Sequence, residues 1–214
     1  MTAPDHVVYV VDDDPRVREA LTELLSSASF NAVAFGSVAE YLAQARQELP
    51  GCLVLDVHMP DISGLDFQKQ QAATDHVPIV FITGHGDIPT SVRAIKAGAL
   101  DFLTKPFGDE VLLQAVDAAI EQDRKALQKR ADLAQLRARY ASLTPREREV
   151  LPLIVAGLLN KQAAAELGIS EITLQIHRSN VIRKMAAGSV AELVRLAARL
   201  DIAIPPQGRR GIRR

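Results

Sequence analysis

Short apolar runs alternate with amphipathic segments along the first half of the chain. The strongest runs are three continuous ones, at residues 7–11, 52–55 and 78–82. Two weaker runs lie at residues 31–35 and 100–103. Between the runs, apolar residues recur at helical spacing near residues 15–27, 38–47, 64–72 and 88–97. Because continuous apolar runs are typical of parallel strands buried on both faces, this half predicts a doubly wound α/β domain with a five-stranded parallel sheet.

The second half has the pattern of consecutive helices. Residues 109–141 contain no proline or glycine, and their apolar stripe predicts one long helix or two in series. The stripe is too irregular to require a coiled coil with a second copy, which stays an open alternative. Four shorter helices follow, and their boundaries are marked by caps and glycines at Thr144–Glu147, Gly157, Gly168, Ser170 and Gly188.

Pattern and charge divide the chain at the same place. The elements predict an α/β domain at 1–122, a linker helix at 123–141, an all-α domain of four helices at 142–204 and a disordered basic tail at 205–214. The first 120 residues carry seven Lys and Arg against seventeen Asp and Glu, whereas the rest carry eighteen against nine. An acidic half beside a basic half suggests a unit that handles metal or phosphate joined to a unit that binds a polyanion.

Composition excludes several classes of protein. Hydrophobic residues make up 48% and charged residues 24% of the chain, which argues against a disordered or fibrous protein. No apolar run approaches the roughly 18 residues of a membrane-spanning helix, and residues 1–6 lack the features of a signal peptide. Cys52 is the only cysteine, so neither an internal disulfide nor a cysteine-based metal cluster is possible. We therefore expect a cytoplasmic protein with no membrane partner.

Three aspartates are predicted to meet at one edge of the sheet. Asp12 and Asp13 follow the first strand, and Asp56 ends the third. In a doubly wound sheet, ligands lie beyond the carboxyl ends of the strands. Like charges at close range repel unless a cation joins them, and Mg²⁺ is the hard cation that prefers carboxylate oxygens. The sequence therefore predicts a Mg²⁺ site formed by these aspartates.

A hydroxyl and a lysine are expected at the same edge. Thr83 ends the fourth strand and Lys105 follows the fifth. Acids, a hydroxyl donor and a cation together indicate phosphoryl transfer, in which a carboxylate can accept the group covalently. A single aspartate after a strand is more often a helix cap, as Asp14 is expected to be. His58 and His85 leave a transition metal as an alternative, although neither has a partner at ligand spacing.

The motifs of this half resemble the receiver domain of two-component response regulators over residues 6 to about 122. They are Val10–Asp14, Leu55–Gly64, Ile82–Gly86 and Lys105–Phe107. The resemblance implies a flavodoxin-like fold in which Asp56 is the phosphorylated aspartate. It further implies that Asp13, Asp56 and the backbone carbonyl of His58 bind Mg²⁺ directly, with Asp12 bound through water.

The same resemblance implies a partner and a switch. A sensor histidine kinase would supply the phosphoryl group, Lys105 would pair with its oxygens, and the peptide bond before Pro106 would often be cis. The receiver would catalyse only its own phosphorylation and dephosphorylation. Thr83 would turn toward the phosphoryl group and Phe102 would fill the vacated space, although Phe102 is equally compatible with a plain core position. The face around residues 88–104 would then favour a homodimer, as a shift in population.

Residues 160–175 have the form of a helix-turn-helix. At about 100° per residue, the helix after Ser170 places Leu174, Val181 and Met185, with His177 and Ile182 at the edge, on its core side. The opposite face would enter the major groove of DNA with Gln175, Ile176, Ser179 and Arg183. Candidates for phosphate contacts are Lys161, Thr173 and Lys184. Arg178 lies on the core side and is expected to pair with Glu147 or Glu149.

The all-α domain resembles the LuxR-type helix-turn-helix of FixJ/NarL-class regulators. The matching stretches are Leu143–Glu147, Gly157 with Asn160–Lys161, and Leu167–Ser170. Gly84–Pro89 is most similar to FixJ-like members, whereas Gln175 stands where the family commonly has lysine. The resemblance implies promoter DNA and RNA polymerase as partners, and Gln175 could favour adenine.

Three hypotheses follow for the function. The first is a phosphorylation-controlled transcriptional regulator of a two-component system. The second is a Mg²⁺-dependent phosphohydrolase similar to haloacid-dehalogenase-like phosphatases, which place a second aspartate two residues after the nucleophile, where this chain has His58. The third is a scaffold that works through protein contacts alone.

Overall fold

A computed structural model of the chain describes residues 5–44, 47–60, 62–71, 77–84 and 88–203. The chain divides into two compact units, 1–128 and 129–214. The tail at 205–214 and His85 lie outside the described residues, so the expectations for them stay predictions. Within the described ranges, none of the helices has the length and apolar character needed to cross a bilayer.

The first unit is built on a five-stranded parallel sheet. The strands are β1 Val7–Val11, β2 Ala32–Phe35, β3 Gly51–Asp56, β4 Ile79–Thr83 and β5 Asp101–Thr104, in the order β2-β1-β3-β4-β5. The connecting helices are α1 Pro15–Ser27, α2 Val38–Ala43, α3 Gly64–Gln71 and α4 Ile88–Lys96. The predicted doubly wound α/β fold is confirmed.

Burial explains why the three strongest apolar runs form the centre of the sheet. Every residue of β1, β3 and β4 is buried, whereas the edge strands β2 and β5 contain partly exposed residues. Alternate residues of one strand face opposite sides, so Val8 and Tyr9 belong to two different core clusters. The order puts the ends of β1, β3 and β4 next to one another, where the predicted chemistry lies.

Asp14 begins α1 as predicted. Its Oδ1 accepts a hydrogen bond from the backbone N–H of Arg16 at 2.9 Å, and Pro15 occupies the first helical position. Capping by Asp14 accounts for one acid of the Asp12–Asp14 run in purely structural terms. Asp12 also holds the backbone here, since its Oδ1 accepts a hydrogen bond from the backbone N–H of Asp14 at 2.9 Å.

The predicted linker is part of one helix, α5, which runs over 33 residues from Asp109 to Ala141. Leu112, Val116 and Ile120 on its first half are buried in the core of the first unit. Asp123 is also buried, and its Oδ2 accepts a hydrogen bond from the backbone N–H of Gly51 at 2.9 Å. The structure thus decides for one long helix rather than two in series.

In its described residues, which end at 203, the second unit contains four further helices, α6 Pro145–Val155, α7 Asn160–Leu167, α8 Glu171–Lys184 and α9 Val190–Arg199. The capping box between Thr144 and Glu147 is present, and Gly168 ends α7 in the left-handed conformation with φ of 65°. Leu174, Val181 and Met185 of the α8 segment are fully buried, as the helical periodicity predicted. The four-helix all-α architecture is confirmed.

Candidate functional site

The ends of β1 and β3 bring three carboxylates together. Asp12 and Asp13 follow β1, Asp56 is the last residue of β3, and one carboxylate oxygen from each lies within 4.8 Å of the others. Asp12 is 1% exposed and Asp56 is 8% exposed, whereas Asp13 faces solvent. The acids expected to converge therefore do so, with one side of the cluster open to water.

Lys105 supplies positive charge to this cluster. Its Nζ lies 2.7 Å from Asp12 Oδ2 and 3.5 Å from Asp56 Oδ2, and its peptide bond to Pro106 is cis. Burial raises the pKa of Asp12 above its ordinary value, and the hydrogen bond from Lys105 offsets this only in part. The buried acid is therefore short of positive charge, which a divalent cation would supply.

The donor set fits Mg²⁺. The converging atoms are all carboxylate oxygens, which this hard cation prefers, and the open side at Asp13 leaves room for the water ligands that it retains. The Nδ1 atom of His58 lies 3.1 Å from Thr83 Oγ1, and the acid cluster of the described residues includes no histidine nitrogen. Among the described groups, the donors therefore favour Mg²⁺ over a transition metal.

Thr83 and Phe102 occupy the positions expected from the strand order. Thr83, at the end of β4, is fully buried and reaches the His58 ring. Phe102 in β5 is partly buried, and its ring centroid lies 6.3 Å from that of Phe81. Such an environment is compatible with both interpretations of Phe102, as a core residue and as part of a switch.

Gly64 allows α3 to begin directly against the end of β3. A Cβ atom at this position would lie 2.7 Å from the Asp56 carbonyl oxygen and 2.9 Å from Phe81 Cε1. Gly64→Ala is therefore expected to lower the free energy of unfolding of the first unit by about 1–3 kcal/mol, because α3 must move away from β3. Hydrogen exchange of β3 and α3 peptides measures this loss.

Gly84→Ala is the matched control for this substitution. A Cβ atom at Gly84 would meet no heavy atom of the described residues within 4 Å, its chain neighbours apart, so the stability should stay within about 0.5 kcal/mol of the wild-type value. If the β3 and α3 amides are protected equally in Gly64→Ala and the wild type, the close approach of α3 to β3 at this position does not require glycine.

An exposed face of α8 carries the predicted DNA-contacting residues. Gln175, Ile176, Ser179 and Arg183 are all exposed on the side opposite the buried residues of that helix. Lys161, at the start of α7, and Thr173 are exposed as well. The structure thus presents polar, apolar and cationic groups together on the second helix of a helix-turn-helix.

Comparison with known proteins agrees with both halves of this geometry. The family model for the response regulator receiver domain matches residues 8–117, and the model for bacterial regulatory proteins of the luxR family matches residues 141–197. Nodulation protein W of Bradyrhizobium diazoefficiens is 50% identical over 197 residues, which are 92% of this chain and 87% of that protein. The chain is a response regulator of the NarL/FixJ class.

Full-length relatives support the same assignment. The transcriptional regulatory protein FixJ of Bradyrhizobium diazoefficiens is 44% identical over 200 residues, covering 93% of this chain and 97% of that protein. The solved structure of the response regulator StyR superposes with a TM-score of 0.83 at 47% identity and covers 91% of this chain and 99% of that one. This response regulator therefore joins a receiver domain to a luxR-type DNA-binding domain, as transcriptional regulators rather than classical enzymes do.

Two basic residues of the response regulator make contacts within the second unit that the sequence did not predict. Arg178 does not pair with either predicted acid, and its Nη1 lies 3.5 Å from Asn160 Oδ1 instead. The buried Glu147 is paired with Lys184 at 2.7 Å. The expected ion pair of Arg178 is therefore wrong, because the end of α8, not its middle, lies beside the start of α6. Lys184 is engaged inside the unit, and its phosphate contact stays a prediction.

Two contacts and one side chain of the response regulator were missed by sequence reasoning. The contacts are those of His58 with Thr83 and of Lys184 with Glu147. The side chain is Ile172, which is 74% exposed and lies on the α8 face that also carries Ile176. Helical spacing alone could have found Ile172, since it lies four residues before Ile176.

Proposed function

We propose that phosphorylation of Asp56 by a sensor histidine kinase switches this response regulator and thereby controls its binding to promoter DNA. The observation that carries the proposal is the cluster of Asp12, Asp13 and Asp56 with Lys105 at the ends of the central strands. We place the receiver domain at residues 1–122, the linker helix at 123–141 and the DNA-binding domain at 142–204.

The phosphoryl group moves from a ring nitrogen of the kinase histidine to a carboxylate oxygen of Asp56. The P–N bond breaks as the O–P bond forms, and the histidine nitrogen keeps the electron pair and takes up a proton. Lys105 Nζ, already 3.5 Å from Asp56 Oδ2, is placed to pair with the oxygens of the transferred group. In dephosphorylation, water attacks the phosphorus atom, the O–P bond to Asp56 breaks, and inorganic phosphate leaves as the carboxylate is regenerated.

Mg²⁺ would be held by Asp13, Asp56 and the backbone carbonyl of His58, with Asp12 acting through water. The ion, when bound, neutralises negative charge on the acids and on the phosphoryl oxygens. Asp12 also fixes Lys105 through its 2.7 Å contact. The backbone of this acidic segment is held by Arg18, whose Nη1 donates to the carbonyl oxygens of Asp12 and Asp13.

In the proposed switch, the hydroxyl of Thr83 donates to a phosphoryl oxygen and Phe102 moves into the vacated space. The phosphoryl group adds charge and acceptor oxygens next to a threonine that is fully buried. Movement of β5 and α4 then changes the surface that they form. Such a local change biases a pre-existing equilibrium instead of creating a new fold.

An apolar face on α4 supports dimerisation of the activated form. Ile88, Val92 and Ile95 share one side of the helix and are 80%, 43% and 46% exposed. Exposed apolar groups of this kind favour association between protein surfaces. The proposed partner is a second phosphorylated copy, which would present two DNA-binding domains to paired half-sites.

The exposed face of α8 is proposed to recognise bases in the major groove through Gln175, Ile176, Ser179 and Arg183. Lys161, Thr173 and Lys184 are the proposed phosphate contacts, which fix the register of the domain on the duplex. Bound at a promoter, the dimer would then act on RNA polymerase.

Gln175→Ala is expected to weaken discrimination at one base pair by about 1–3 kcal/mol, since a glutamine amide pairs with two atoms of adenine. Lys161→Ala should instead weaken binding to all duplexes and lower the salt-dependence slope by about one. Binding isotherms on single-base variants of a selected duplex, at several salt concentrations, separate the two effects. Base discrimination that is equal in the Gln175→Ala and wild-type proteins would exclude this residue from base recognition.

Selection of duplexes from a random library tests the proposed function as a whole. The wild-type chain is incubated with Mg²⁺, with and without a small phosphodonor, and the bound sequences are compared. We expect a paired half-site to be enriched with the phosphodonor, and salt to weaken the binding. Failure to enrich any sequence in either arm would favour the scaffold hypothesis instead.

A further inference from the structure

His58 connects the acid cluster to Thr83. Its backbone N–H donates to Asp56 Oδ1 at 3.3 Å, and its ring Nδ1 lies 3.1 Å from Thr83 Oγ1. His58 is exposed, whereas Thr83 is fully buried. One residue therefore contacts both the proposed phosphoryl acceptor and the proposed switch hydroxyl.

The proposed activation needs the hydroxyl proton of Thr83, and the contact with His58 Nδ1 can engage the same proton. A threonine hydroxyl has one proton to donate. If that proton is donated to His58 Nδ1, it is not available to a phosphoryl oxygen on Asp56. Activation then has to break the hydrogen bond from Thr83 to His58 before Thr83 can donate to the phosphoryl oxygen. The free-energy difference between these two hydrogen bonds contributes to the equilibrium between the inactive and the active state.

We propose that His58 is a positioning residue that holds Thr83 in the inactive arrangement, an interaction that we call the latch. The proposal rests on the proposed function, since it concerns the response to a phosphoryl group on Asp56. The latch stabilises the inactive state. It therefore raises the concentration of phosphodonor, or of a phosphoryl mimic, that is needed for activation. It acts through Thr83 and requires no contact between the His58 ring and the transferred group.

The surroundings of the His58 ring leave space for it to move. His58 lines a cavity of about 400 Å³ together with Asp13, Met59, Thr90 and Arg93. The ring therefore has space to leave Thr83 without displacing core side chains. Because the side chain is exposed, substitutions at this position should also leave the folding of the receiver domain intact.

Two substitutions at this position isolate the hydrogen bond. His58→Asn keeps a polar atom at the place of Nδ1, whereas His58→Leu has a similar reach without a polar atom. The probe is beryllofluoride, a mimic of the phosphoryl group, added to the full chain with Mg²⁺. Fluorine NMR of the bound species gives the half-saturating concentration, and thermal unfolding checks that each variant is folded.

For the latch, His58→Leu is expected to lower the half-saturating concentration by about threefold to tenfold, the effect of losing one hydrogen bond of ordinary strength. His58→Asn should stay within about twofold of the wild type, because a partner for the hydroxyl is retained. In a Thr83→Ala background, His58→Leu should have no effect, which a double-mutant cycle makes quantitative.

Three results would overturn the latch. One is a half-saturating concentration that rises in His58→Leu, since Nδ1–H would then be donating to Thr83 and assisting activation. Another is no change in His58→Leu, and the third is the same shift with and without Thr83. If the wild type does not bind beryllofluoride at all, the proposed function itself fails and the latch with it, and this outcome is distinct from the other three.

Discussion

Asp56→Asn is expected to bind DNA with the same affinity in the presence and absence of a small phosphodonor. The amide has nearly the shape of the carboxylate, but it lacks the anionic oxygen that attacks phosphorus. It also removes a negative charge from the cluster with Asp12 and Asp13, so the affinity for Mg²⁺ should fall. Fluorescence anisotropy with a selected duplex measures the response, which should be lost completely.

Asp66→Asn serves as the control for this experiment. Asp66 lies at the start of α3, is exposed, and pairs with Lys69 at 2.8 Å, away from the acid cluster. An exposed pair of this kind contributes little to stability, so the phosphodonor should strengthen DNA binding as it does in the wild type. A response that persists in Asp56→Asn would mean that another residue is the acceptor.

Removal of Glu147 is expected to destabilise the DNA-binding domain strongly. The residue is 3% exposed, accepts from the backbone N–H of Thr144 at 2.8 Å and pairs with Lys184 at 2.7 Å. Glu147→Ala removes a helix cap and leaves a half-buried lysine without its carboxylate. The free energy of opening of α6 and α8 should fall by about 2–4 kcal/mol.

This stabilisation should depend on pH. Burial alone raises the pKa of Glu147, but the hydrogen bonds from Lys184 and Thr144 outweigh it and hold the pKa below its ordinary value. A lowered pKa in the folded state stabilises the protein above the unfolded pKa, which is roughly 4.3, and the gain is lost as the pH falls through the folded value. The difference in the free energy of unfolding between the wild type and Glu147→Gln should therefore be largest at neutral pH and become smaller in acid.

Hydrogen exchange of peptides from α6 and α8 measures both effects, with receiver-domain peptides as an internal reference. Glu149→Gln is the matched control, because Glu149 is exposed and pairs only with its neighbour on the same helix, Arg146, among the contacts given by the structure. Its effect should stay below about 0.5 kcal/mol. Equal losses in Glu147→Gln and Glu149→Gln would show that the buried pair contributes nothing beyond a surface pair.

Local patterns were sufficient to predict the fold. The fully buried strands β1, β3 and β4 are the three continuous apolar runs, because strands covered on both faces need apolar residues at every position. The capping box at Thr144 was predictable because it involves only residues three apart. The meeting of Asp12, Asp13 and Asp56 followed from sheet topology, since strand ends fix where these side chains lie.

Side-chain contacts between elements that are far apart in the sequence could not be predicted from local patterns. A helical periodicity gives the face on which Arg178 lies, but not which residue of α6 or α7 stands opposite it. Lys184 reaches Glu147 from the last turn of α8, where a long flexible side chain can point to either the core or solvent. The contact of the His58 ring with Thr83 joins residues 25 apart in the chain, and no periodic signal in the sequence indicates it.

Mass spectrometry of the full chain shows whether Asp56 accepts a phosphoryl group in a reaction that needs Mg²⁺. The protein is incubated with a small phosphodonor with and without Mg²⁺, its intact mass is recorded, and peptides locate the modification. We expect one phosphoryl group, formed only with Mg²⁺ and carried by the peptide that contains Asp56. An unmodified protein, or a phosphoryl group on any other residue, would contradict this expectation.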